Sequence, residues 1–288
     1  MMKKNENISY VKNVKKKKKN KNMITIGVDI GISATKVVMM NGTTVSGMEV
    51  WEEAFNPERL ERYISANVTN PANIDCIAVT GVGSVSFHGI KGINYKVIDE
   101  FSANAKAAGY ACQSKDFIVV SVGTATSFVK VNSGVATHLG GSAMGGGTLF
   151  SLFHMVMQGG GWANLRMLAE KGDLKSVDKT IGDVSRSELP DLPLDATAIN
   201  LGKFERDSRP QDVVLGLVNL VLQNIGVMAN LAGKSSGIRD FVMLGRTVTL
   251  PHAQEIFSGL EKLYGINIIV PKNPEFMTAI GAALCAHK

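Results

Sequence analysis

The stretch MITIGVDIGISATKVVMMNG, residues 23–42, has the pattern of a hairpin whose strands are joined by a glycine turn. Apolar residues flank Gly31-Ile32-Ser33 on both sides, and Asn41-Gly42 is a strong signal for a second tight turn. The predicted elements are, in order, a strand over 24–29, a turn over 31–33, a strand over 34–40 and a third strand that ends at Val50. The stretch therefore predicts a three-stranded meander at the start of the fold.

The same pattern recurs in FIVVSVGTATSFVKVNSGVATHLGG, residues 117–141. Eleven residues separate Gly31 from Gly42 and eleven separate Gly123 from Gly134, with Ser121 in the place of Asp29. Because the apolar runs and turns align as well, the repeat indicates a duplicated βββ unit and hence two related lobes. Strands and helices alternate after each copy, which favours an α/β fold with a mixed sheet and flanking helices in each lobe.

The charge of the chain separates a basic tail from the rest. Residues 1–22 hold nine Lys and one Glu, so the remaining residues carry a net charge of −2 although the whole chain carries +6. So basic a segment has too few apolar residues to order itself, and we expect a disordered Lys-rich tail, with Met23 as the native start. An arm for nucleic acid or an anionic surface is the alternative. We expect an N-terminal lobe over 23–114 and a C-terminal lobe over 115–288.

Composition and motifs exclude several classes of protein. The three cysteines form no CxxC pair and the five histidines form no HxH or HxxxH pair, so no zinc site is indicated. The glycines of GVGSVSFHG, residues 81–89, lack the third Gly and the helix of a dinucleotide-binding fingerprint. No apolar region of a signal peptide follows the lysines. We expect a globular protein in the reducing cytoplasm.

The uncharged stretch over 213–233 is long enough to suggest a membrane span. However, Asn219, Gln223, Gly226 and Asn230 recur at 4-3-4 spacing, which is one stripe of polar or small residues on a helix. We therefore predict a helix that turns this stripe toward a cleft or another polar element, and no membrane association.

The two glycine turns have the chemistry of a phosphate site. A glycine turn between strands presents backbone N–H groups with no side chain in the way, and two such turns across a cleft would clamp a polyphosphate from both sides. Asp29 then stands where a carboxylate holds Mg²⁺ beside the phosphates, and Ser33 and Lys36 add a hydroxyl and a charge. The alternative is an ordinary hairpin with a surface Asp.

Two further segments fit phosphoryl transfer. Gly145-Gly146-Gly147 precedes an apolar helix whose N-terminus would attract a phosphate, unless the run is a flexible linker. Asp99 and Glu100 end a predicted strand, and one of them is expected to face the cleft as the base for an acceptor hydroxyl. Spacing does not decide between them, and either residue would also favour the start of the next helix, for which Ser102 is a plausible N-cap.

Five motifs together resemble the type II pantothenate kinases. They are GVDIGISATK (27–36), VIDEFSANAKAAGY (97–110), SVGTATSF (121–128), HLGGSAMGGGT (138–148) and LPLDATAINLGKF (192–204), and AIGAAL (279–284) ends the resemblance. The resemblance spans the chain from about Met23. It implies the acetate and sugar kinase/Hsp70/actin superfold, and phosphorylation of the terminal hydroxyl of pantothenate by ATP with Mg²⁺, the first step toward coenzyme A. It also implies a homodimer built through the second lobe.

The resemblance also assigns roles to residues. It implies that Glu100 is the catalytic base and that Asp29 holds the metal. The implied ATP and phosphate ligands are Gly31, Ser33, Lys36, Gly123, Thr124, Thr126, Gly145, Gly146, Gly147 and Gly245. The implied substrate ligands are Thr124, Ser127 and His138.

Three departures from the family pattern affect these expectations. Ile32-Ser33 replaces Gly-Thr in the first loop, and Ala125 replaces a Gly in the second. His138 stands where the family has an Arg that pairs with the carboxylate of pantothenate, and a neutral imidazole cannot form such a bidentate pair.

Several explanations of His138 are open. The imidazole is protonated, Arg206 or Arg209 replaces the missing cation, or the acceptor lacks the carboxylate, as pantetheine does. A nucleotide-binding regulatory protein of the same superfold is a further alternative, and a nucleic-acid binder would rest on the tail alone.

Overall fold

A computed structural model describes residues 23–185 and 192–287, so the predicted tail over 1–22 lies outside the described residues. The strands are β1 (Ile24–Ile30), β2 (Thr35–Asn41), β3 (Thr44–Trp51), β4 (Ile74–Thr80), β5 (Tyr95–Val97), β6 (Asp116–Val122), β7 (Thr126–Asn132), β8 (Val135–Ser142), β9 (Lys179–Thr180), β10 (Thr197–Ile199), β11 (Asp240–Leu244) and β12 (Asn267–Ile269). The helices are α1 (Pro57–Asn67), α2 (Glu100–Ala111), α3 (Gly146–Met157), α4 (Trp162–Glu170), α5 (Ile181–Val184), α6 (Pro210–Lys234), α7 (Ala253–Tyr264) and α8 (Met277–Ala286).

The first sheet has the strand order β3-β2-β1-β4-β5. β1, β2 and β3 form the predicted antiparallel meander, while β4 and β5 run parallel to β1. Helix α1 covers one face of this sheet with Leu60 and Ile64, which pack with Ile26, Val28 and Val37. Its start follows from the sequence, because the Asn56 side chain accepts hydrogen bonds from the first free N–H groups.

The second sheet repeats the first one strand for strand. Its order β8-β7-β6-β11-β12 has the same antiparallel meander and the same two parallel neighbours. This topology confirms the predicted duplication. The glycine match holds only in part, because Gly42 is the first residue of its two-residue hairpin turn whereas Gly134 is the second.

Helices α2 and α8 lie between the two sheets and join the lobes. α2 packs on β6, β7 and β8 of the second sheet, whereas α8 packs on β1, β2 and β4 of the first. The two helices cross closely, since a Cβ on Gly281 would lie 1.9 Å from the Ala103 carbonyl oxygen. A Cβ on Gly27 would likewise lie 2.0 Å from the Ala279 carbonyl oxygen. Each lobe therefore covers its sheet with a helix from the other half of the chain.

Helix α6 is the central helix of the second lobe. It is long and apolar enough to cross a membrane, but 72% of its most apolar window is buried inside the protein. The predicted polar stripe meets polar partners: Asn219 donates to the buried Asp178 carboxylate at 2.7 Å, and Gln223 accepts from Asn200 at 2.8 Å. Gly226 lets Leu260 of α7 approach. Asn219 and Gln223 thus face polar partners, as predicted, whereas Gly226 faces an apolar side chain.

Candidate active site

The first glycine loop, residues 31–34, joins β1 to β2. The Gly31 N–H donates to the Ala34 carbonyl at 3.2 Å, and a Cβ on Gly31 would lie 2.9 Å from that same oxygen. The loop is therefore closed on itself, which leaves the Ile32 and Ser33 side chains exposed at its tip. This geometry explains why a glycine opens the loop although no positive φ is required there.

Asp29 and Lys36 face each other across β1 and β2 at the base of this loop. They are register partners, and the Lys36 Nζ lies 3.3 Å from the Asp29 Oδ2. The exposed fractions of their side chains are only 12% and 19%. The sheet thus holds a largely buried ion pair directly beneath the loop, where the sequence predicted a carboxylate and a cation.

The end of β4 shapes the other side of Asp29. Thr80 is the register partner of Asp29 in β4, so Lys36, Asp29 and Thr80 form a row across three strands. Gly81 follows with φ +85°, and a Cβ there would lie 2.7 Å from the Asp29 Oδ1. Sequence reasoning noted this glycine only as part of a rejected fingerprint, whereas its role is to leave room for the carboxylate.

The second glycine loop, residues 123–125, faces the first loop across the cleft. The Gly123 N–H donates to the Ala125 carbonyl at 3.0 Å, and the Ser33 and Thr124 hydroxyl oxygens of the two loops lie 3.0 Å apart. The two predicted loops therefore meet at the mouth of the cleft. Beyond the second loop, the Thr126 hydroxyl is buried and Ser127 is half-buried in β7.

The third glycine motif packs on the second loop. The Gly146 N–H donates to the Gly123 carbonyl at 2.8 Å and the Gly147 N–H donates to the Thr124 carbonyl at 2.9 Å. A Cβ on Gly145 would lie 2.7 Å from the Thr124 carbonyl oxygen. The run is therefore not a flexible linker. It supports the second loop through these N–H groups, and direct phosphate contact by the three glycines stays a prediction.

Gly245 lies against the strand that leads into the second loop. Its φ is +104°, and a Cβ there would lie 2.2 Å from the Val122 carbonyl oxygen, one residue before Gly123. Two residues further on, the Thr247 hydroxyl oxygen would lie 2.6 Å from a Cβ placed on Gly146. Gly245 thus joins the second and third glycine motifs in one compact corner.

The two acidic residues before α2 have different surroundings. Asp99 is the N-cap of α2 and accepts hydrogen bonds from the Ser102 N–H at 2.8 Å and the Ser102 hydroxyl at 2.9 Å. The prediction of Ser102 as N-cap was therefore wrong, and so was the placement of Asp99 and Glu100 in a strand, because β5 ends at Val97. Glu100 is the first residue of the helix and is half-buried.

The charges around Glu100 connect it to the first loop. Burial raises the pKa of the Glu100 carboxyl above its usual range, and the charge of Asp29 raises it further, whereas Lys36 lowers it. Asp29 and Lys36, the ion pair beneath the first loop, are therefore close enough to act on the Glu100 carboxyl. A perturbed carboxyl in a cleft is a candidate for proton transfer.

His138 lies on β8 and stacks on Phe101, the residue after Glu100. The two ring centroids are 4.1 Å apart and the ring planes differ by 13°. His138 is exposed, and α2 lies beside it. The stacking fixes the position of the imidazole against the residue that follows the candidate base, which no local sequence signal indicated.

The two arginines considered as substitutes for the missing cation differ in their partners. Arg209 forms a bidentate pair with Asp212 through its Nε and Nη2, both at 2.8 Å. This pairing occupies the guanidinium at the start of α6 and argues against a role in the cleft. Arg206 is exposed in the loop before α6.

The donor set suits Mg²⁺ only together with a polyphosphate. The described residues hold no cluster of three or more acidic, His or Cys side chains that would bind a metal ion without a ligand. One carboxylate, that of the buried Asp29, is what a magnesium ion needs from the protein when phosphate oxygens and waters supply its remaining ligands. The site therefore fits the magnesium complex of a nucleotide.

Comparison with known proteins gives a consistent result. The sequence profile of the Fumble family matches residues 89–256 of this chain. A type II pantothenate kinase of Bacillus anthracis is 24% identical over 274 residues, which cover 91% of this chain and 97% of that enzyme.

Two solved structures share the fold. The activator of the 2-hydroxyisocaproyl-CoA dehydratase from Clostridium difficile, with bound ADPNP, has a TM-score of 0.62 and 20% identity over 92% of this chain and 94% of its own. Component A of the (R)-2-hydroxyglutaryl-CoA dehydratase of Acidaminococcus fermentans has a TM-score of 0.63 and 19% identity over 92% and 98%. These likenesses confirm the predicted actin/Hsp70-like fold of two duplicated lobes.

Proposed function

The chain belongs to the Fumble family, and from that premise we propose that it is an ATP-dependent pantothenate kinase. The observation that carries the proposal is the convergence of two facing glycine loops, the Asp29–Lys36 pair and a half-buried Glu100 in one cleft. The names of the bacterial relatives support the kinase activity. Pantothenate as the acceptor, and with it the first step of coenzyme A synthesis, is the finer part of the proposal.

In the proposed reaction Glu100 accepts the proton of the terminal hydroxyl of the acceptor. The hydroxyl oxygen then attacks the γ-phosphorus of ATP, the bond to the β,γ-bridging oxygen breaks, and ADP leaves. The raised pKa of Glu100 makes it a stronger base, once it is ionised, than an exposed carboxylate, which suits this role.

The glycine loops and the ion pair would hold the nucleotide. Backbone N–H groups of the two loops offer hydrogen bonds to phosphate oxygens, and Ser33 and Thr124 add hydroxyls from opposite lobes. Lys36 would exchange its long contact with Asp29 for a phosphate. Asp29 would hold Mg²⁺, which supplies positive charge against the phosphates.

The acceptor would lie between Glu100 and β8. Ser127 of β7 and Thr124 of the second loop would offer it hydrogen bonds. His138 would contact its far end, as a hydrogen-bonding neighbour in place of a cation. An acceptor without a carboxylate, such as pantetheine, is the second candidate substrate, favoured by the stacked imidazole at this position.

We further propose a homodimer in the cytoplasm. The free thiols Cys76, Cys112 and Cys285 suit a reducing compartment. Met155 and Leu231 are exposed in the second lobe, with 78% and 60% of their surface accessible, and they would suit an interface there.

The decisive experiment measures ADP release by the purified protein with Mg-ATP and with pantothenate, pantetheine or no acceptor. Turnover that pantothenate stimulates and that Glu100→Gln abolishes would support the proposed kinase. Stimulation by pantetheine alone would reassign the acceptor. Turnover without stimulation by either acceptor would instead support a nucleotide-binding regulatory protein.

A further inference from the structure

Glu52 and Arg246 form an ion pair between the two lobes. The Arg246 Nη1 lies 2.7 Å from one oxygen of the Glu52 carboxylate and 2.8 Å from the other. The guanidinium also lies over the ring of Trp162 in the second lobe, 4.6 Å from its centroid. Because Trp162 already orients the arginine, forming the pair requires the ordering of little more than the Glu52 side chain.

Both residues are anchored directly beside the glycine loops. Glu52 follows Trp51, which is the register partner of Thr35, the residue after the first loop. Arg246 follows Gly245, which packs against the residue before the second loop. The pair therefore flanks the contact between Ser33 and Thr124 and spans the same cleft.

The neighbouring acidic residue provides an internal contrast. Glu53 pairs with Arg59, which belongs to the same lobe. Glu52 and Glu53 are both exposed and adjacent in sequence, but the partner of Glu52 lies in the second lobe and the partner of Glu53 lies in the first. An acidic residue at the mouth of a polyphosphate site would repel the ligand, and Arg246 offsets that charge.

We propose that the Glu52–Arg246 pair is a latch that holds the lobes closed over a bound nucleotide and slows its release. The inference rests on the proposed function in that the cleft must bind a nucleotide. Release requires the two loops to separate, and that separation breaks the pair. Glu52 and Arg246 are positioning residues in this scheme, because the pair acts on the closure and not on the reacting atoms.

The test is the dissociation rate of a fluorescent ADP, N-methylanthraniloyl-ADP with Mg²⁺, measured by stopped flow with the full chain. Glu52→Gln and Arg246→Met are each expected to speed release about three- to fivefold, and the double variant no more than either single one. Glu53→Gln is the matched control and leaves the rate unchanged. Raising KCl speeds release more from the unchanged protein than from Glu52→Gln, because salt screens the pair as well as the contacts to the nucleotide.

Two outcomes would overturn the latch in different ways. Faster release from Arg246→Met with unchanged or slower release from Glu52→Gln would mean that Arg246 contacts the nucleotide itself. Failure of the unchanged protein to bind the fluorescent ADP would remove the proposed function and the latch together. Retained circular dichroism spectra and melting temperatures would exclude misfolding as the cause.

Discussion

The two glycine loops have the same backbone plan and different side chains. In the first lobe Asp29 and Lys36 face each other at the base of the loop. In the second lobe the register partners at the same place are Ser121 and Ser127. Duplication has kept two backbone cradles, while the charged side chains are concentrated on one of them. The comparison teaches that the proposed catalytic charge belongs to the first lobe, together with Glu100, and that the second lobe offers neutral donors.

The most severe test of this asymmetry removes the proposed base. Glu100→Gln should lower kcat about 10²- to 10⁴-fold, because general base catalysis is lost, while the Kd for Mg-ATP changes little. Steady-state ADP release and calorimetric ATP titration measure the two quantities. Retained turnover would mean that another residue is the base, and it would contradict the assignment of the catalytic charge to Glu100 and the first lobe.

The second test compares substitutions at equivalent positions of the two lobes. Asp29→Asn should lower kcat/KM about 100-fold and raise the Mg²⁺ requirement, as expected for loss of a preorganised charge. Ser121→Ala, the matched change in the second lobe, should alter kcat/KM less than threefold, a small effect because no charge is lost. Magnesium titrations of ADP release measure both effects. Equal losses from the two variants would contradict the assignment of the metal to the first lobe.

The third test gives the second lobe a charge. His138→Arg should lower the KM for pantothenate about tenfold, because an arginine would form a charged hydrogen-bonded pair with its carboxylate, and should leave the KM for pantetheine unchanged. Initial rates with each acceptor measure this. An unchanged KM for pantothenate would show that its carboxylate lies away from β8.

The fourth test compares how tightly the backbones of the two loops are packed at their first glycines. Gly31→Ala should lower the free energy of unfolding by about 1–3 kcal/mol, because the new Cβ would lie 2.9 Å from the Ala34 carbonyl oxygen. Gly123→Ala should be nearly neutral, since its nearest neighbour would be 3.6 Å away. Urea unfolding of both variants gives the difference. A larger loss of unfolding free energy for Gly123→Ala than for Gly31→Ala would mean that the second loop is the more tightly packed of the two.

The smallest expected effect concerns pH and stability. The pKa of Glu100 is higher in the folded protein than in the unfolded chain. Protonated Glu100 therefore makes its full contribution to the free energy of unfolding at pH values below the unfolded pKa, and this contribution is lost as the pH rises through the folded pKa. Glu100→Gln should therefore melt at a higher temperature than the unchanged protein near pH 8, and at nearly the same temperature near pH 4. Melting curves across this range check the sign. A lower melting temperature near pH 8 would mean that ionised Glu100 stabilises the fold.

The sequence was sufficient where the signal is local. The meander and its second copy follow from apolar runs and turn residues, and the structure confirms them. The start of α2 was misplaced because Asp99 and Ser102 are both good caps, and only the hydrogen bonds show that Asp99 takes the role.

The parts that could not be predicted depend on contacts between distant residues. The Thr124 carbonyl makes Gly145 necessary, and the Asp29 carboxylate makes Gly81 necessary, yet neither partner is near its glycine in sequence. The same holds for Phe101 beneath His138 and for Arg246 opposite Glu52. Their geometry depends on how the two lobes are arranged, which no local pattern encodes.

The exchange of helices between the lobes has a consequence for biosynthesis. The first sheet has all its strands once residue 97 has been made, but Val38 and Met40 lie on the face that α8 covers. This face stays open until residues 277–286 leave the ribosome, so the first lobe is completed only after all strands of the second sheet have been made. A chain truncated before α8 would therefore leave the first lobe incomplete, with an apolar sheet face open to chaperones and proteases.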